Sequence, residues 1–312
     1  MQHPGEGLDV RQAGGTDGQL GTTAEELALA AAIRRRGIWP RLRRQRVAMI
    51  CLVIIVAFVL IAVLAPWIAP HDPNLQFDAG LSDSGTPVGT SAQFPLGSDT
   101  SGRDVLSRLI FGARISLTVG ILATLLTATV GVALGAVAGY FGGWAGTVIT
   151  RLIDIMLAFP VVLLGLVAAA VFSPSVLTTI VVIAATQWMY MSRVVYSMVL
   201  GLKEWQFVEA ARATGVGDWR IVVRHITPHL VPVVIAYSTL GVGISILLES
   251  TLGFLNAGVP QPTASWGVMI SAGLTYYRAD PPLVLYPGLI LAVVVLAFTV
   301  LGDGLTRAIE AR

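Results

Sequence analysis

The chain has 312 residues, 55% of them hydrophobic and only 12% charged, with a formal net charge of +2. Soluble domains carry about 25% charged residues, so this composition excludes an ordinary soluble enzyme and points to a membrane protein. The small net charge gives no argument for nucleic-acid binding, and a single cysteine, Cys51, excludes an intrachain disulfide or a thiol-rich metal site.

Residues 1–22 are rich in Gly and Gln without an apolar core, so they read as a flexible tail and not as a cleavable signal peptide. Thr23 to Glu26 has the capping-box pattern, and a helix is expected over 24–36, with Glu25 and Glu26 at its start, three Arg at its end and Gly37 as stop. The organisation expected is therefore a cytoplasmic N-terminal tail over 1–37 and a transmembrane domain over 38–312. Arg41, Arg43, Arg44 and Arg46 meet the anionic headgroups ahead of the first span.

Stretches of roughly 20 apolar residues cross a bilayer. Such stretches occur at 47–65, 115–139, 148–171, 176–199, 231–254 and 285–305, which predicts an all-α polytopic membrane protein with six transmembrane helices. The first span is expected to end at Pro66, and 66–113 to form an external loop. Within it, Val105, Leu106, Leu109, Ile110 and Ala113 fall on one apolar helical face. They predict a short helix lying on the outer membrane surface before the second span. Asp99 and Asp104 read as turn-forming and capping residues, because their spacing fits no EF-hand loop. In the second span Thr127, Gly131, Gly135 and Gly139 recur every fourth residue, a smooth strip for close helix packing.

The most informative segment is the charged stretch at 203–228, between the fourth and fifth spans. Good helix formers run from Lys203 to Ala213, and Gly215 breaks the run. A second helix is expected over 218–226, with Asp218 at its positive end and Pro228 and Pro232 marking the entry to the next span. The unit reads as a docking element or as an amphipathic connector. Along the fifth span Ser238, Gly241, Ser245 and Glu249 share one polar or small face. That face is either the wall of a translocation path or a packing surface with a hydrogen-bonded Glu. In the last loop Trp266, Tyr276 and Tyr277, among four prolines, read as membrane-interface anchors.

With the N-terminus in the cytoplasm, sixteen Lys/Arg fall inside and four (Arg103, Arg108, Arg114 and Arg278) outside. Both termini and the Glu209 segment are then cytoplasmic. Lys203 is the only lysine and follows Leu202, so no phosphate-binding P-loop can be built. His225 and His229 share a helical face without an obvious third metal ligand. No nucleophile–base constellation is evident, so no catalytic residue and no metal site are expected.

Glu209-Ala210-Ala211, then Gly215, then Ile226-Thr227-Pro228 resembles the EAA loop of membrane subunits of ATP-binding-cassette importers. Pro95-Leu96-Gly97-Ser98-Asp99, Gly102-Arg103-Asp104, Glu249-Ser250-Thr251-Leu252-Gly253-Phe254-Leu255 and Leu301-Gly302-Asp303-Gly304-Leu305 are similar to dipeptide/oligopeptide permeases of the "C" kind. The resemblance covers about 38–312 and has two departures. Thr227 stands where the family usually has Leu. Leu255-Asn256-Ala257-Gly258-Val259 stands where it commonly has Leu-Gly-Leu-Gly-Val.

The resemblance implies the type I importer permease fold in a bacterial plasma (inner) membrane. It implies a heterodimer with a second permease, two cassette ATPases that hold the ATP and Mg, and an external substrate-binding protein. Glu209, Ala210, Ala211, Gly215, Ile226 and Pro228 would couple the chain to the ATPases. The cargo would be dipeptides or oligopeptides. The rival cargoes are a nickel chelate, glutathione, haem or an oligosaccharide. A secondary transporter driven by an ion gradient would favour repeated halves with broken helices and paired midplane charges, and neither is evident.

The orientation has a direct test. Single cysteines at Ser84 and Asp218, in a background lacking Cys51, label from opposite sides of the membrane in intact cells. Labelling of both from outside contradicts the predicted topology.

Overall fold

The computed structural model describes residues 38–310. The expected tail over 1–37, with its helix over 24–36, lies outside the described residues. Among the described residues every regular element is helical, apart from isolated bridges at Leu81–Pro87 and Ser98–Asp104. In chain order, with short 3-10 turns at Asp78–Gly80 and Leu274–Tyr276 set aside, these are α1 (Ile38–Arg43), α2 (Arg46–Ile68), α3 (Val105–Phe141), α4 (Gly143–Leu157), α5 (Val161–Val171), α6 (Val176–Leu202), α7 (Gln206–Ala213), α8 (Asp218–Ile221), a π-helical turn (Val222–Ile226), α9 (Thr227–Phe254), α10 (Trp266–Gly273) and α11 (Pro282–Glu310).

Four helical runs are long and apolar enough to cross a membrane: Arg46–Ile68, Val105–Phe141, Asp218–Phe254 and Pro282–Glu310. The pair α4 and α5 makes a fifth if counted as one broken span. Helix α6 fills the fourth predicted stretch with 27 residues but is not among these, because Gln187 and Arg193 dilute its apolar run.

The structure corrects four boundaries. First, no separate surface helix precedes the second span. Helix α3 runs unbroken for 37 residues, about 55 Å at 1.5 Å per residue, well beyond the roughly 30 Å hydrocarbon core. Asp104 starts it by accepting the Ser107 N–H at 3.0 Å, and nothing between Ala113 and Ser116 breaks it. Val105, Leu109 and Ala113 are buried in the main core with Trp266, Leu283 and Ala297, so that apolar face points into the protein and not onto the bilayer.

Second, α2 passes through Pro66 and ends at Ile68, leaving the irregular segment at 69–104. Third, the predicted third span bends by 93° between α4 and α5. Pro160 is the cause: it lacks an N–H and drives the preceding residue away from helical geometry. Fourth, the fifth span does not begin at the prolines. The π turn carries the helix from Asp218 to Phe254 without a stop, with Pro228 in the first turn of α9 and Pro232 inside it.

The glycine strip of α3 packs on α6. A Cβ added at Gly131 would lie 2.6 Å from Met191 Cβ, one at Gly135 would lie 2.5 Å from the Ser192 carbonyl oxygen, and one at Gly139 would lie 2.9 Å from Val199 Cβ. Thr127 continues the strip and is also buried. Within a bilayer such close backbone approach is what holds helices together.

The opposite end of α3 is tied down by polar contacts. Asp99 accepts the Ser101 N–H at 2.8 Å and the Arg103 N–H at 3.0 Å through one oxygen, and the Arg103 Nε–H at 2.8 Å through the other. Arg108, fully buried, lies 3.2 Å from Asp99 and donates to the Pro73 carbonyl at 2.9 Å and the Pro262 carbonyl at 3.2 Å. The turn and capping roles expected of Asp99 and Asp104 are therefore present. Arg108 joins the 69–104 segment to the loop after α9.

Replacing Gly135 by Leu forces α3 and α6 apart. The expected cost is about 1–3 kcal/mol, read as a lowered melting temperature of the detergent-solubilised protein. An unchanged melting temperature would show that the strip is not a tight contact.

Candidate functional site

The charged segment after α6 folds as two short helices joined by a glycine turn. Helix α7 ends in a Schellman cap: the Gly215 N–H donates to the Arg212 carbonyl at 2.9 Å and the Val216 N–H to the Ala211 carbonyl at 3.0 Å. Gly215 has φ +79°, and a Cβ there would meet nothing within 4 Å. Glycine is thus required by backbone conformation alone.

The coupling residues named from sequence fall on two faces. Glu209, Ala210, Gly215 and Pro228 are exposed, whereas Ala211 and Ile226 are buried. Ala211 and Ile226 join Val208, Ile221, Val222 and Leu230 in a cluster that includes Val195, Val199 and Leu202 of α6 and Tyr140 of α3. The pair of alanines is therefore divided. Ala211 packs the loop onto its own bundle, and Ala210 is the one that faces outward. In the same segment the rings of Trp205 and Trp219 are 55% and 64% exposed, an unusual burden of aromatic surface on a polar segment.

Polar contacts reinforce that cluster. The Tyr140 hydroxyl donates to Asp218 Oδ1 at 2.6 Å, and the Arg212 guanidinium lies over the Tyr140 ring, 5.3 Å from its centre. Lys203 Nζ reaches the Gly139 carbonyl at 3.4 Å. Thr227, the departure before the proline, donates its hydroxyl to the Val222 carbonyl at 2.9 Å across the π turn. A leucine cannot make that bond.

The face of α9 read from sequence also divides. Ser245 and Glu249 are fully buried. Ser245 Oγ lies 3.0 Å from Thr124 Oγ1 and accepts the Gln187 Nε2–H at 3.2 Å. Glu249 accepts the Ser116 hydroxyl at 2.8 Å and the Ser250 hydroxyl at 3.3 Å, while the Trp266 N–H donates to Ser116 Oγ at 3.4 Å. Glu249 thereby joins α9, α3 and the start of α10. Ser238, Gly241 and, at its buried end, Ser245 line an open cavity of about 550 Å³ with Gln187, Tyr190, Arg193 and Tyr237, and Glu249 alone lies off its wall. On the other side of Ser238 lies a second cavity, of about 690 Å³, lined mostly by aliphatic residues of α3 and α9 with Trp219.

Several of these residues carry no sequence signal of their own. Tyr140 and Gln187 stand in apolar runs without motif or spacing to mark them. Asn256 had a signal: it replaces a glycine of the related pattern and adopts φ +57°. Its N–H donates to the Gly253 carbonyl at 3.1 Å and the Ala257 N–H to the Leu252 carbonyl at 2.8 Å, so it ends α9 in a second Schellman cap. Asn is among the few residues that tolerate this left-handed backbone.

Comparison with known proteins agrees with this architecture. Residues 131–312 match the family described as "Binding-protein-dependent transport system inner membrane component". Residues 34–84 match the "N-terminal TM domain of oligopeptide transport permease C". The dipeptide transport system permease protein DppC of Alkalihalophilus pseudofirmus is 37% identical over 275 residues, covering 88% of this chain and 89% of that protein. The glutathione transport system permease protein GsiD of Escherichia coli O6:K15:H31 is 35% identical over 272 residues, covering 87% and 88%. Among solved structures, a chain of the MetNI methionine ABC transporter in an inward facing conformation superposes with a TM-score of 0.52 at 17% identity, covering 65% of this chain and 96% of that one. That likeness concerns the fold. With the family match spanning more than half of the chain and relatives aligned over most of it, the chain belongs to the inner-membrane permease family of binding-protein-dependent ABC importers.

Proposed function

We propose that this permease carries dipeptides or short oligopeptides, delivered by an external binding protein, across the membrane by alternating access. It does so in a heterodimer with a second permease, driven by two cassette ATPases docked on the Glu209 end. The observation that carries the docking surface is the division of the loop. Glu209, Ala210 and Trp205 are exposed, while Val208, Ala211, Ile221 and Ile226 anchor the same segment to α3, α6 and α9. A push on the outer face is thereby delivered to three long helices at once. The sixteen-to-four split of Lys and Arg supports a cytoplasmic Glu209 end, with both termini on that side.

ATP and Mg belong to the ATPase partners, since no lysine lies in a phosphate-binding loop. This chain contributes transport and no catalysis of its own. The cargo follows the dipeptide relative at 37% identity, and glutathione, itself a short peptide, is the second reading because of the relative at 35%. Within the chain, Ser238, Gly241 and Ser245 on the cavity wall are the part of α9 that meets the cargo. Ser245 also holds α9 against α3 through Thr124, and Glu249, off the cavity wall, braces the path from behind through Ser116.

Two adjacent alanines separate docking from folding. Ala210→Trp leaves the melting temperature of the chain unchanged, because the side chain points outward. It lowers peptide uptake and substrate-stimulated ATP hydrolysis of the reconstituted complex by about tenfold or more, the consequence of losing about 1.4 kcal/mol of contact. Ala211→Trp instead overpacks the loop's own core and destabilises the chain by about 1–3 kcal/mol. Full uptake and hydrolysis by an assembled Ala210→Trp complex would reduce the loop to a connector.

A further inference from the structure

The cavity between α6 and α9 carries a feature that family membership does not assign. Its wall on α6 presents Gln187, Tyr190 and Arg193 at successive intervals of three residues, one face of the helix. Tyr237 and Ser238 of α9 stand opposite. Among the described residues, Arg193 is the only charged one on the cavity wall, and the larger cavity on the other side of Ser238 has none.

We propose that Arg193 is a passage subsite for the terminal carboxylate of the peptide in transit, with Gln187, Tyr190 and Tyr237 completing the polar wall. The inference rests on the peptide-permease reading above. Arg193 is available for this role. Among the described residues its one ionic partner is Asp154 of α4 at 3.7 Å, and the two side chains are 62% and 49% exposed. A pair so open and so long contributes little. A carboxylate entering the cavity offers two oxygens to the planar guanidinium, a stronger arrangement that displaces Asp154.

Gln187 is already oriented, since its Nε2–H donates to Ser245 Oγ at 3.2 Å. Tyr190 and Tyr237, 54% and 41% exposed, offer apolar ring faces and hydroxyls, which suits a cargo of amide backbone with varied side chains. A volume of about 550 Å³ falls within the roughly 300–1,000 Å³ of small-ligand sites. The exposure of Arg193 keeps the contact weak, as a site that must release its cargo requires.

The test uses the whole importer in proteoliposomes, purified with its ATPases and with saturating binding protein. Uptake of dialanine is compared with uptake of dialanine amide, which lacks the carboxylate. Binding of both peptides to the isolated binding protein is measured separately, so that each uptake is read with the binding protein fully loaded. Arg193→Gln lowers dialanine uptake about tenfold, the effect of losing one charge-assisted contact. It leaves amide uptake and the melting temperature of the complex unchanged. Asp154→Asn removes the competitor of the cargo and leaves dialanine uptake equal or higher. Arg193→Lys retains part of the preference.

An acid-to-amide uptake ratio unaltered by Arg193→Gln overturns the subsite while leaving the peptide-permease reading intact. A parent complex that imports neither peptide, with binding protein shown to be loaded, overturns both.

Discussion

Helices immersed in hydrocarbon cannot associate by withdrawing apolar surface from water, because lipid tails are as apolar as leucine, so contact has to come from shape and from polar groups that find partners. In this chain that demand is met first along one seam. Gly131, Gly135 and Gly139 of α3 let Met191, the Ser192 carbonyl and Val199 of α6 approach to backbone distance. The rest of the molecule is arranged about the seam. One end sets Tyr140 and Val199 beside the Glu209 loop, and further along α6 Gln187 and Arg193 line the cavity with Thr124 and Thr127 of α3. A methyl group added at Gly135 would move the loop and the cavity wall together.

The two ends of the bundle are finished differently. At the Trp266 end the chain is stapled by charge: Arg108 reaches Asp99 and two carbonyls, and Glu249 ties α9 to Ser116 of α3. Removing one member of such a buried network strands the others, which makes that end stiff. At the Glu209 end the joint is mainly apolar, Val208, Ala211, Ile221 and Ile226 against α6, with the Tyr140–Asp218 hydrogen bond at its margin. The loop is thus a continuation of the bundle and not an appendage. The π turn at Val222–Ile226 extends this continuity, because it lets the helix run past Pro228 with Thr227 supplying an extra bond to the Val222 carbonyl.

The division of the sequence into apolar helices, the glycine strip, the capping role of Asp104 and the glycine turn at Gly215 are all legible in the sequence. Each depends on local spacing or on one residue's backbone freedom. The family was legible for a similar reason, since its motifs are short and contiguous. What escaped the sequence depends on the third dimension. The 93° bend at Pro160 and the smooth passage through Pro228 are opposite outcomes for the same residue type. They are decided by whether the neighbouring turn can reroute its hydrogen bonds. The apolar face at Val105, Leu109 and Ala113 is legible as a period, but the surface it packs on, the Trp266 core, lies more than 150 residues further along the chain, so the sequence suggests a bilayer-facing helix in its place. Likewise Ala210 and Ala211 are chemically identical, and only the fold tells the outward one from the inward one. The polar face of α9 was visible as a period, but the point at which it passes from cavity to interior was not.

The central claim is that the Glu209 loop moves as one body with α3, so that force applied at the loop turns the helices without bending the joint between them. Spin labels at Glu209 and Thr129, both exposed, in a Cys51-free chain within the assembled importer, measure this directly by pulsed electron paramagnetic resonance. The account predicts the same single Glu209–Thr129 distance distribution in nucleotide-free and ATP-trapped complexes, while the distance from Glu209 to a label on the second permease changes between those states. A Glu209–Thr129 distance that shifts with nucleotide, while the helix positions stay fixed, would contradict it.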